Sequence, residues 1–231
     1  MQGLREIVLD TETTGLSTRY GHRIIEIGCV ELINRSKTGR HFHHYVNPGR
    51  SVDPSSFAIH GISDDFLKSK PNFSEIARDF LSFIDNSRII IHNAAFDMQF
   101  INYELAPIGL PLLTHPRVID TLLLARKKFP GSPASLDALC RRFRITLQNR
   151  DKHGALLDAD LLASVYIAMH GSMQPTIPLT AGVHNQINMP HAQSSFKTDR
   201  NLCPLTESEI KAHEKLISKI DHSLWKKYAN A

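Results

Sequence analysis

Asp10-Thr11-Glu12 sets two carboxylates two residues apart, just after the apolar run at residues 6–9 (EIVL). In extended chain, side chains two apart project to the same side. Carboxylates held side by side repel, and each raises the other's pKa unless a cation lies between them. A solvated acidic turn is the plainer alternative, with Thr11, Thr13, Thr14 and Gly15 merely making the bend. Asp97 strengthens the chemical reading. It closes His92-Asn93-Ala94-Ala95-Phe96-Asp97, directly after a second apolar run at residues 88–92 (RIIIH). An Asp in a helix's first turn gains ~0.3–1 kcal/mol from the dipole alone, but the small residues before it would also let a ligand approach the backbone. The third piece is His153-Gly154-Ala155-Leu156-Leu157-Asp158-Ala159-Asp160. Helical spacing places Asp158 four before Leu162 and near the buried side, whereas Asp160 points elsewhere. A carboxylate turned toward a core is expensive unless paired or metal-bound. His153, five residues earlier, is free to swing toward the same place; by itself it also fits a surface loop histidine.

Together these groups offer oxygen ligands rather than the His/Cys sets of zinc sites. Hard carboxylates from separate elements suit Mg²⁺ or Mn²⁺. Two such ions ~3.5–4 Å apart clamp the attacking and leaving oxygens of a phosphodiester displacement. A histidine, titrating near ~6.5 as a residue type, suits removal of a proton from the attacking water.

The elements that must position these groups are legible as patterns. Strands are expected at residues 6–9, 24–33 (IIEIGCVELI) and 41–46, the last two joined by a loop containing Lys37-Thr38-Gly39, as an antiparallel meander. Asn72, with Glu75 three later, fits a capping box opening a helix whose Phe73, Ile76, Ala77, Phe80 and Ile84 share one face. A strand at 88–92 and a helix at 96–105 follow, then a short strand at 118–120. Helices are expected near 121–128, 135–143 and 154–169. Three strands followed by alternating helix and strand predict an α/β fold, a mixed central sheet flanked by helices. The compact body ends near Gly171. Residues 172–204 hold four prolines and little that could pack a core, and read as a flexible linker. A last helical stretch runs from 205 to about 227.

The 231 residues carry 27 Lys+Arg against 23 Asp+Glu, a formal charge of +4, compatible with a nucleic-acid partner but too modest to identify one. Cys29, Cys140 and Cys203 are too dispersed for a disulfide framework. No apolar run approaches the ~18 residues of a membrane span, and Glu6, Asp10 and Glu12 are foreign to a secretory leader. A cytoplasmic protein with no membrane partner is expected.

Four motifs, Ile7-Val8-Leu9-Asp10-Thr11-Glu12-Thr13-Thr14-Gly15-Leu16, His60-Gly61-Ile62, His92 to Asp97 and His153 to Ala159, resemble in order those of the DEDDh exonucleases. More narrowly, they are similar to the proofreading subunits of bacterial replicative polymerases, over about residues 5–170. The resemblance implies a ribonuclease-H-like fold, with antiparallel β1-β2-β3 plus parallel strands, and 3′→5′ removal of nucleotides from DNA ends. It implies that Asp10, Glu12 and Asp158 hold one ion, that Asp10 bridges to a second, with Asp97 acting largely through that ion's water shell, and that His153 is the general base. Thr13 and the Thr14-Gly15 backbone would meet the terminal sugar, Leu16 and Phe96 the terminal base or sugar, and His60 the terminal nucleotide. For Leu16 and Phe96 ordinary packing is an equal alternative. Ser55 departs from the glutamate of the family pattern and receives no role.

The stretch 205–225 is also similar to the tail of those proofreading subunits. There Thr206 and Glu209 fit a capping box, and Ile210, Ile217, Ile220 and Leu224 form a stripe ending at Trp225, the single tryptophan. Such a stripe reads as a partner-binding helix, or as one folding back on the body; the resemblance names the polymerase III catalytic subunit as partner. Gln174-Pro175-Thr176-Ile177-Pro178-Leu179 resembles sliding-clamp peptides, with Gln174, Ile177 and Leu179 as anchors; Gln186-Ile187-Asn188-Met189 is a poorer rival. A small accessory subunit is a further possible partner. His41, His43 and His44 read as a solvated strand face, and Lys127, Lys128, Arg141, Arg142 and Arg144 as solvated helix faces. An RNA or oligonucleotide 3′-exonuclease, and a non-catalytic adaptor between polymerase and clamp, are the competing functions.

Overall fold

The computed structural model describes residues 3–147, 152–171 and 206–219. The chain divides into two compact units, Met1–Leu179 and Thr180–Ala231. In the first, β1 (Arg5–Thr13), β2 (Ile24–Ile33) and β3 (Ser36–Tyr45) form the antiparallel meander. Two short helices, α1 (Pro54–His60) and α2 (Asp64–Leu67), precede α3 (Phe73–Ile84). Then come β4 (Arg88–Ile91), α4 (Ala94–Leu105), β5 (Val118–Asp120), α5 (Thr121–Lys128), α6 (Leu136–Arg142) and α7 (Ala155–Gly171). The sheet order is β3-β2-β1-β4-β5, with β4 parallel to both β1 and β5. This is the expected mixed sheet.

Both faces of the sheet are covered, so its central strands are apolar nearly throughout. Ile7, Leu9, Ile27, Cys29, Ile89 and Ile91 face one core with Phe73, Phe80, Phe100 and Ile101 of α3 and α4. Val8, Val30, Leu32 and Ile90 face Ala159, Leu162, Ala163 and Tyr166 of α7. Strand alternation then fixes the facing of the next residues: Asp10 and Glu12 continue the α7-facing row of Val8, and Thr11 the row facing α4. Truncating Phe100, fully buried beneath the site, to alanine should cost about 3–5 kcal/mol.

Several local expectations are corrected. The hairpin turn is Asn34-Arg35, both at positive φ (52° and 62°), and Lys37–Gly39 lies inside β3, which begins at Ser36 rather than 41. A two-residue turn of that hand matches strand twist, and Asn tolerates it. β1 runs on to Thr13, with a register shift between Glu12 and Thr13. α1 and α2 were not anticipated; seven and four residues give too little periodicity to see. The Asn72–Glu75 capping box is present.

In the second unit, α8 (Glu207–Ser218) starts as predicted: Thr206 N–H donates to Glu209 Oε2 (2.8 Å), and Glu209 N–H to Thr206 Oγ1 (3.4 Å). Ile210 is exposed and Ile217 half-buried. Ile220, Leu224 and Trp225, like Gln174, Ile177, Leu179 and the linker, lie outside the described residues. Among the described residues no helix is long and apolar enough to cross a membrane.

Candidate active site

The C-terminal end of β1 gathers the acidic residues from three elements. Asp10, Glu12, Asp97, Asp158 and His153 line one pocket of about 200 Å³, together with Thr11, His92, Asn93, Phe96 and Leu136. Asp97, 3% exposed, comes from the first turn of α4, where Thr11 Oγ1 donates to its Oδ1 at 2.7 Å. Asp158, also 3% exposed, comes from the first turn of α7, and its Oδ2 lies 3.0 Å from His153 Nδ1. Ligand atoms of Glu12, His153 and Asp158 all fall within 4.8 Å of one another.

Electrostatics agree with the geometry. Burial, then the charges of Asp97, Glu12, Asp158 and Glu26, push Asp10 well above the usual carboxylate range. Burial pushes Asp97 to about 7, although Thr11 pulls the other way. Asp10 and Asp97 thus resist ionising where negative oxygens are crowded. The donor set is hard, mostly carboxylate and drawn from β1, α4 and α7, and a divalent cation would relieve its repulsion. These residues therefore fit a hard divalent cation.

Each helix that delivers an acid is tied to neighbouring elements, α4 at both ends and α7 through the loop before it. Asp120, at the end of β5, accepts from Asn93 N (3.3 Å) and Ala94 N (3.1 Å) of α4, and from Leu122 N (2.8 Å) and Leu123 N (3.3 Å) of α5. One carboxylate thereby caps two helices and fixes where Asp97 starts. Asn93, entering α4, sits in the left-handed region at φ 66°, a conformation that Asn accepts more readily than most residues. Arg23 forks onto Glu104 of α4, Nε to Oε1 at 2.7 Å, and ties that helix back to β2. The loop before α7 is tied to α1: His153 N–H donates to the Ile59 carbonyl at 3.2 Å, and Lys152 Nζ to that of Ala58 at 2.7 Å.

The expected substrate residues divide into two groups. Phe96 lines the pocket, half-buried, and also packs on Phe100 at 4.9 Å between ring centroids. Leu16 is 79% exposed, which removes ordinary packing as its explanation. Thr14 is fully buried. Its hydroxyl meets His22 Nδ1 (3.0 Å) and accepts from Arg23 N (3.0 Å), while its own N–H donates to the Arg23 carbonyl. Thr14 supports the loop rather than presenting a group. Gly15 lies flat on the His22 ring, where a Cβ would come within 2.3 Å of ring atoms, and Thr13 Oγ1 donates to the Gly15 carbonyl at 2.7 Å. His60 is buried outside the acidic pocket. Ile62 N–H donates to its Nδ1, which places its proton on Nε2. Burial holds this imidazole below the usual histidine value.

His43 is not solvated as expected. Its Nε2 lies 2.7 Å from Oε1 of Glu26, a buried carboxylate of β2 paired in register with Glu12. Both line a separate, larger cavity of about 490 Å³ between β2, β3 and α7. Glu26, Asp120 and His22 went unnoticed in the sequence. Only Asp120 carried a signal there, as an Asp preceding a helix.

Residues 7–166 match the exonuclease family RNase_T. The DNA polymerase III subunit epsilon of Rickettsia felis is 46% identical over 225 residues, covering 95% of this chain and 98% of the relative. That of Escherichia coli K12 is 52% identical over 174 residues, 72% of each chain. Among solved structures, exonuclease X in complex with 5′ overhanging duplex DNA superposes with a TM-score of 0.58 at 28% identity, over 73% of this chain and 92% of that one. The chain therefore belongs to the RNase_T exonuclease family and, within it, to the DNA polymerase III epsilon subunits.

Proposed function

We propose that this chain hydrolyses the terminal phosphodiester of DNA 3′ ends, working 3′→5′, as the proofreading subunit of a replicative DNA polymerase III in the cytoplasm. The observation that carries the chemistry is the meeting of Asp10, Glu12, Asp97, Asp158 and His153 in one pocket; family membership carries the polymerase. Asp10, Glu12 and Asp158 would hold one divalent cation and Asp10 with Asp97 a second, Mg²⁺ or Mn²⁺. Bound there, such ions supply positive charge to the reacting phosphate.

The chain's own residues do the rest. With Asp158 Oδ2 against Nδ1, the His153 ring favours its proton on that nitrogen and leaves Nε2 as the base that takes a proton from water. The His22-supported loop presents Leu16 and the Thr13 and Gly15 backbone toward the terminal nucleotide, with Phe96 on the opposite wall and the His60 Nε2–H as a donor. Selectivity follows from reach. A paired 3′ end must unpair at a few kcal/mol before entering, a cost that a mismatch has already met.

The tail would tether the enzyme. Ile210, Ile217, Ile220, Leu224 and Trp225 would dock on the catalytic subunit, and Gln174, Ile177 and Leu179 on the sliding clamp, with room for a small accessory subunit elsewhere. Changing Gln174 and Leu179 together to alanine should weaken clamp binding in a surface-immobilised assay while sparing hydrolysis; unchanged affinity removes the motif.

The deciding experiment is primer degradation by the full chain on 5′-labelled DNA and RNA, matched and mismatched. DNA should shorten from its 3′ end, faster when mismatched. Faster cleavage of RNA would favour the exoribonuclease reading, and equal rates on the two DNA primers would remove fraying as the source of selectivity.

A further inference from the structure

Gly28 lies on β2 directly opposite Asp10 of β1 and belongs to the sheet face that α7 covers. A Cβ built there would come within 2.3 Å of Leu156 N, 2.4 Å of the Ala155 carbonyl carbon and 2.5 Å of Leu156 Cα. All three are backbone atoms of the first turn of α7, which a rotamer change cannot move aside. Ordinary contact begins near 3.4 Å, so any side chain at position 28 must lift that turn by roughly 1 Å. The turn carries Asp158 and is joined to His153 through Gly154, whose carbonyl accepts from Asp158 N at 2.9 Å. Ala155, Ala159 and Ala163, spaced four apart and fully buried, continue the same close approach along the helix.

We propose that Gly28 is a positioning residue of the ion site: its bare Cα sets how near Asp158 and His153 come to Asp10 and Glu12. An alanine would hold α7 off the sheet at the one turn where the acids must meet, while the far end of the helix, anchored by Tyr166 Oη donating to Glu6 at 2.8 Å, stays in place. A displacement of about 1 Å at a reacting centre is enough to cost roughly 10²-fold in turnover, and loosening the support of metal ligands typically costs about 10–100-fold in affinity.

This inference rests on the ion-binding reading of the pocket, and its test separates the two. Mn²⁺ is titrated into the full chain and free Mn²⁺ read by electron paramagnetic resonance, without turnover, for wild type, Gly28→Ala and Tyr166→Phe. Tyr166→Phe loosens the same helix at its other end and controls for general destabilisation. Gly28→Ala should weaken Mn²⁺ binding by about tenfold or more and lower kcat by roughly 10–100-fold with KM for a DNA oligonucleotide nearly unchanged. Tyr166→Phe should lower Tm and leave Mn²⁺ affinity within about twofold. Wild type that binds no Mn²⁺ would sink the ion reading itself. Wild type that binds, with Gly28→Ala equal to it or no worse than Tyr166→Phe, would overturn the role of Gly28. Should Gly28→Ala not fold, Ala159→Val thickens the same contact one turn later and should show a smaller loss of affinity; if neither folds, the contact serves the fold alone and the proposal falls.

Discussion

The two ends of β1 handle buried carboxylates in opposite ways. Near its N-terminal end lies Glu31 of β2, only 1% exposed. Burial pushes it up, but Arg5 Nε at 2.6 Å, Thr38 Oγ1 at 2.8 Å and Arg40 Nη1 at 3.0 Å outweigh burial and hold it below the usual carboxylate value. At the C-terminal end, burial and neighbouring acids drive Asp10 and Asp97 upward instead. Fixed arginine partners turn a carboxylate into a structural tie. Carboxylates crowded against each other make the fold less stable than it could be, and that stored repulsion is what a divalent cation can relieve. The difference separates a clamp from a site more sharply than burial does, since both ends are buried.

Three measurements would sharpen or break this contrast. The largest effect belongs to Asp10→Ala, which should lower kcat on single-stranded DNA by about 10³-fold or more, as expected for loss of a group acting on the reacting phosphate. The same change should leave the Tm of the ion-free chain equal or higher. A lower Tm would place Asp10 with Glu31 as a structural group. Next, Glu31→Ala should strip Arg5 and Arg40 of their shared partner and lower stability by about 1–3 kcal/mol in urea unfolding, discounted because both arginines reach solvent. Turnover per folded molecule should stay within about twofold; a large fall would mean that the far end also serves the chemistry.

The smallest effect is pH-dependent. Asp97, pushed to about 7, binds its proton more tightly folded than unfolded. Its destabilising effect is therefore fully present above that value and is relieved as pH falls toward the unfolded carboxylate range near ~3.9. The ion-free chain should melt a few degrees higher at about pH 6 than at about pH 8, and Mn²⁺ or Asp97→Asn should shrink that difference. An ion-free Tm that falls between about pH 8 and pH 6 would contradict the sign.

The sequence carried more of the acids than of what holds them. Asp10 and Glu12 were readable because strand period and an apolar run point them to one side, and Asp158 because helical period sets it beside Leu162. Asp97 stood out through the small residues before it. Their supports depend on register and on distance across the chain, which local pattern does not encode. Glu26 meets His43 only because β2 and β3 pair with that offset. Asp120 caps α4 from a strand 26 residues away, and Gly28 matters through a helix more than a hundred residues later. Thr14 shows the same limit from the other side: its place in a threonine-rich turn says nothing of the His22 ring that consumes its hydroxyl. In the fold, the Asn34-Arg35 turn was masked by the more conspicuous Lys37-Thr38-Gly39, and α1 and α2 are too short to have a period.

The most direct test of the central claim, that acids from β1, α4 and α7 assemble a two-cation site, is hydrolysis of a 5′-labelled DNA primer by the full chain in excess chelator, with Mn²⁺ then added back in steps. Hydrolysis should vanish in chelator and return with a steeper than first-order dependence on free Mn²⁺, in wild type but not in Asp10→Ala. Shortening of the primer that persists in chelator, or that Asp10→Ala retains, would contradict it.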